Sequence, residues 1–181
     1  MKNVTILLLA FLFVFASCSK EDVEPSDDNE LITTVRLSFK SPSGVVKMFY
    51  WRDKQGDGVM DSVDPILLNK NMVYEMSISL LDETKSPVFD ISEEIEEEAD
   101  VHMFVYKVSP TGLVSVQIKD LDKNGLPVGL KADVRSQYVP GNGTFQVILK
   151  HQPPVNGKAA KSGDEEGGST DVEVSFPLTI Q

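Results

Sequence analysis

The sequence predicts an all-β chain, an antiparallel immunoglobulin-like sandwich of about seven to nine strands with one short helix near residues 91–99. Three observations carry this. Several stretches alternate apolar and polar residues with a period of two, 12 Gly and 10 Pro punctuate the chain, and no strand–helix–strand rhythm is present. At 181 residues the chain suffices for one domain with a sizeable core.

The first strand is read over 31–40, where Leu31, Thr33, Val35, Leu37 and Phe39 alternate with Ile32, Thr34, Arg36, Ser38 and Lys40. A turn at 41–44 leads into a second strand over 45–51. Tyr74, Met76, Ile78 and Leu80 mark one face of the next. Two strands, 101–108 and 113–119, flank Ser109-Pro110-Thr111-Gly112, a turn tetrad that predicts a hairpin between them. Phe145, Val147 and Leu149 make another inward face. Val172, Val174, Phe176, Leu178 and Ile180 make the last, and Pro177 places that strand at an edge or a bulge. Residues 158–170 read as a flexible loop.

The helix over 91–99 rests on Ile91, Ile95 and Ala99 at four-residue spacing, with Asp90 as the cap and Glu93 as capping-box partner. Seven acids fall within residues 90–100, and the late ones oppose the helix dipole, so the helix should be short. Such a cluster is either a solvated face or a surface for cations or a basic partner.

Composition limits function. With 17 Lys+Arg against 28 Asp+Glu the net charge is −11, which excludes a phosphate-binding basic face and so nucleic acid. One Cys excludes a disulfide framework. The two histidines, His102 and His151, read as strand-surface residues, and no nucleophile–base pair stands out, so no enzyme is expected.

Residues 1–3 are a short positive start and 4–15 an apolar run too short to span a bilayer, as in a signal-peptide core. Ala16-Ser17-Cys18 at its end resembles the lipobox of bacterial lipoproteins. The resemblance implies removal of residues 1–17, lipidation of Cys18 and anchoring to the outer membrane, facing the periplasm or the cell surface. Residues 18–29 are acidic and aperiodic, a disordered tether, which leaves 30–181 as the sandwich.

Residues 53–64 carry the most specific local pattern. Asp53, Gln55, Asp57, Asp61 and Asp64 fall at positions one, three, five, nine and twelve of a calcium loop, Gly58 sits at six, and Val59 at seven would offer its carbonyl. Gln55 and the short Asp64 depart from that pattern, and flanking helices are missing. The alternative is a turn whose carboxylates cap their own backbone. The second acidic turn begins at Asp120 but lacks late ligands, and its Asn124-Gly125 pair predicts a type I′ hairpin. Beside the first loop, Trp51 is a candidate platform for stacking on a sugar, although one of Phe49, Tyr50 and Trp51 should be core.

Residues 30–35, 120–130 and 170–177 resemble a group of small Bacteroidota lipoproteins often labelled a type 1 periplasmic binding fold. A fold of that type needs two doubly wound lobes, which the length and the missing crossover helices do not provide. The resemblance implies an envelope address. The expected function is non-enzymatic binding or presentation of a glycan or protein partner, with a calcium-supported glycan module as the alternative and a small hydrolase behind it.

Overall fold

The computed structural model describes residues 31–181, so the expected leader over 1–17 and the expected lipidated tether over 18–29, Cys18 included, lie outside the described residues. The described chain forms eleven strands and one helix: β1 (Thr34–Lys40), β2 (Val46–Arg52), β3 (Ser62–Val63), β4 (Ile66–Leu68), β5 (Val73–Asp82), β6 (Phe89–Asp90), α1 (Ser92–Glu97), β7 (His102–Ser109), β8 (Val114–Ile118), β9 (Lys131–Ser136), β10 (Gly141–His151) and β11 (Ser169–Ile180). They build two sheets. The larger runs β3-β2-β1-β5-β9-β8, with β6 also on β5, and the smaller runs β4-β11-β10-β7. The all-β sandwich is as the alternation predicts.

Burial follows the period of two. Val35, Leu37 and Phe39 of β1 and Tyr74, Met76, Ile78 and Leu80 of β5 are buried, as are Phe145, Val147 and Leu149 of β10 and alternate residues of β11 from Val172 to Ile180. The sheets meet through Phe39, whose ring packs edge-on against Phe49 and Tyr74 of its own sheet and Phe145 of the other, at centroid distances of 5.8–6.3 Å.

Several expectations are corrected. Strands β7 and β8 do not form a hairpin, because β7 ends the smaller sheet and β8 ends the larger. Residues 110–113 therefore carry the chain across the sandwich, and each strand finds its partner elsewhere, β7 on β10 and β8 on β9. Local turn chemistry cannot distinguish these outcomes, since both need a reversal at the same tetrad. Asn124-Gly125 is not the centre of a type I′ turn. The Gly125 amide donates to the Asp122 carbonyl (3.0 Å), which puts Lys123 and Asn124 at the centre, and only Gly125 has a positive φ there. The helix starts at Ser92 with no side-chain cap, and Asp90 accepts instead from the Ser92 amide (3.0 Å) as a local turn. Residues 158–170 are tied down, because the Lys161 side chain is buried and Gln152 donates to the carbonyls of Asp164 and Glu166.

The last strand is no simple edge. Its Leu178–Ile180 end pairs in parallel with β4, an interaction without a local sequence signal, while Pro177 lies one residue before that pairing begins. The register irregularity of β11 falls instead at Asp171, which is skipped between the Val172–Leu149 and Thr170–Lys150 pairs.

Candidate functional site

Three places could carry chemistry. The first is the 53–64 loop, which hangs from the end of β2. Asp53 is buried, and its two carboxylate oxygens accept from the amides of Gly56 (2.8 Å), Asp57 (3.3 Å) and Gly58 (2.7 Å). Asp57 accepts from the Val59 amide (2.9 Å), Asp61 from Lys54 (2.7 Å) and Asp64 from Tyr50 (3.0 Å). The Gln55 amide, oriented to donate, reaches Asp61 Oδ2 at 2.9 Å. Val59 is exposed. Each carboxylate thus serves a different stretch of backbone, and no three of the loop's acids bring ligand atoms within 4.8 Å of one another. These hydrogen bonds are the ones a self-capping turn makes, with Gly58 in the left-handed region at φ +82°.

Trp51 is half-buried and packs against the core beside Val35 and Val63, its partners in the neighbouring strands. Phe49, on the same face, is core. Tyr50 points the other way and carries the Arg52 guanidinium over its ring at 4.1 Å. The aromatic triplet is therefore a strand with one buried face, and Trp51 does not stand out as a platform.

The second place is a cleft of about 260 Å³ where the sandwich is open between the edge strands β7 and β8. Tyr106, Val116, Ile118 and Pro127 line it, with Asp164 and Glu165 at the lip. The Tyr106 hydroxyl donates to the Gly129 carbonyl, and burial pushes its pKa well above the usual value, so it stays a donor at neutral pH. Two ionic contacts hold the 161–165 segment over this opening. Lys107 reaches Glu165 (2.6 Å), and Lys161 reaches Asp122 (3.0 Å) and the Ala99 carbonyl (2.7 Å). This site had no motif in the sequence. Its residues come from four separate segments, and only the pairing of the sheets brings them together.

The third place joins both histidines. His102 of β7 and His151 of β10 are directly opposite in register, and their rings stack at 4.7 Å with an interplanar angle of 13°. Asp171 joins them from the bulge of β11, so that a ligand atom of each residue lies within 4.8 Å of the other two. The His102 side chain is 12% exposed. Burial lowers its pKa and His151 lowers it further, against the Glu98 carbonyl, which lies 3.2 Å from Nδ1. The sequence reading placed both histidines on strand surfaces and did not pair them, because strand register is not visible in the residues themselves.

No family model, no curated protein and no solved structure matches the chain.

Proposed function

We propose that the protein is a lipid-anchored, non-enzymatic envelope protein whose β7–β8 cleft binds a protein segment combining an apolar side chain with a basic one. The leader and Cys18 support the address. The cleft is the observation that carries the binding role, for it offers apolar walls and, at its lip, the carboxylates of Asp164 and of Glu165, the latter shared with Lys107, in a chain of net charge −11. Charge complementarity at the lip steers a basic segment and sets its orientation, while the apolar walls supply most of the affinity.

An array of basic–apolar peptides, run beside a glycan array on the same protein, tests this. Peptide binding that weakens with salt and is lost in the Asp164→Lys, Glu165→Lys double variant supports the reading. Binding confined to glycans, or peptide binding that the charge reversal leaves intact, overturns it.

A further inference from the structure

We infer that His102, His151 and Asp171 form a binding site for a divalent transition metal, zinc being the ion they suit best. The inference rests on this cluster alone and is independent of the cleft.

The donor set is the first argument. Two imidazole nitrogens and one carboxylate oxygen are borderline ligands that favour zinc over calcium or magnesium, which prefer oxygen alone. Three protein ligands leave a fourth tetrahedral position for water or an outside donor. Bonds of about 2.0–2.2 Å in a tetrahedron place donor atoms roughly 3.4 Å apart. The three residues already hold theirs within 4.8 Å, and the two stacked rings must tilt toward a common point to close the site around an ion.

The surrounding contacts are the second argument. A carbonyl can only accept, so the neutral His102 ring in hydrogen bond with Glu98 O (3.2 Å) carries its proton on Nδ1 and its lone pair on Nε2. A ligating histidine is commonly fixed in this way through its other nitrogen. Asp171 is oriented in turn by the Ser169 hydroxyl, which donates to Oδ1 at 3.2 Å.

The backbone supplies the third argument. Gly168, at φ +64°, brings the entry to β11 so close to β10 that an added Cβ would lie 2.1 Å from the His151 carbonyl oxygen. Ser169 then pairs with His151, and the bulge turns Asp171 toward the two rings. Three strands thus converge on one point through a glycine, a bulge and a cross-strand pair.

The test is a zinc titration of the metal-stripped full chain, followed by calorimetry, melting and proton NMR. The chain has only two histidines, so their ring signals report the site without assignment work. One zinc per chain, a raised melting temperature and shifts of both histidine signals are expected, with all three effects lost in His102→Ala and His151→Ala. Asp171→Asn should weaken binding by about 10-fold or more while leaving the metal-free melting temperature near that of the parent. Absence of binding, or zinc binding that moves neither histidine signal, overturns the proposal. So does undiminished binding in a folded histidine variant. Should both histidine variants fail to fold, cobalt bound to the parent chain decides: intense visible bands of four-coordinate cobalt together with paramagnetically shifted histidine protons support the site, and a pale six-coordinate spectrum overturns it.

Discussion

Lys161 and Asp122 form an ion pair at 3.0 Å whose side chains are 1% and 0% exposed. Lys161 also donates to the Ala99 carbonyl, while Asp122 accepts from the amides of Asn124 and Leu126, so both charges are compensated by several hydrogen bonds. Lys161→Met strands the Asp122 charge in the interior and is expected to cost about 3–5 kcal/mol. Combining it with Asp122→Asn should recover part of that loss. Urea unfolding of the two variants and the parent measures both effects.

The same pair predicts acid sensitivity. Burial pushes the Asp122 carboxyl up, but the Leu126 amide, Lys161 and the Asn124 amide together outweigh it and leave the pKa below the usual value. A folded pKa below the unfolded one gives stability that is fully present above about pH 4, the unfolded value. It is lost as the pH falls through the folded pKa. Melting temperatures between pH 7 and pH 2.5 should therefore fall more steeply for the parent than for Asp122→Asn, which starts lower.

Val174 and Glu173 are adjacent on β11 and face opposite ways. Val174 is 3% exposed in the core, so Val174→Asp introduces an unpaired charge there and should cost more than about 4 kcal/mol, enough to unfold a marginal domain. Glu173 is exposed and accepts only from Gln146 (2.8 Å), so Glu173→Lys should change stability by about 0.5 kcal/mol or less. Far-UV circular dichroism of the two variants separates these outcomes.

Asp53 is the keystone of its loop because one carboxylate serves three amides. Asp53→Ala leaves them without an acceptor and should cost about 1–3 kcal/mol in thermal unfolding. Calcium up to several millimolar should move the parent's melting temperature no further than matched sodium chloride, since the carboxylates are already engaged with backbone.

Cys18→Ser tests the proposed address. The variant should incorporate no palmitate and should move from the membrane to the soluble fraction, whereas the parent stays membrane-bound.

How much of this could be read in advance depends on the range of each interaction. The faces of β1, β5, β10 and β11 were legible, because a buried face imposes the alternation on consecutive residues. Strands β3, β4 and β6 were not, being two or three residues long and defined by their partners. The 109–112 tetrad announced a reversal but not that the chain changes sheet there. The acidic loop shows the same limit from the other side. Its spacing fits both a cation and its own amides, and the structure adds that the Gly56, Asp57 and Gly58 amides surround Asp53. The pairing of His102 with His151 depends on the register of strands 49 residues apart in sequence, and the bulge that adds Asp171 depends on a third.

Because β4, β7, β10 and β11 belong to one sheet and the strands between them to the other, neither sheet is a continuous stretch of chain. No single cleavage could divide this protein into two halves that each fold. Contacts between distant segments must form together, which predicts slow, all-or-none folding dominated by loop closure. The smaller sheet lacks an interior strand until residues 169–180 are available, since β11 alone joins β4 to β10. A chain emerging from its N-terminus can therefore not complete the smaller sheet until nearly all of it is out.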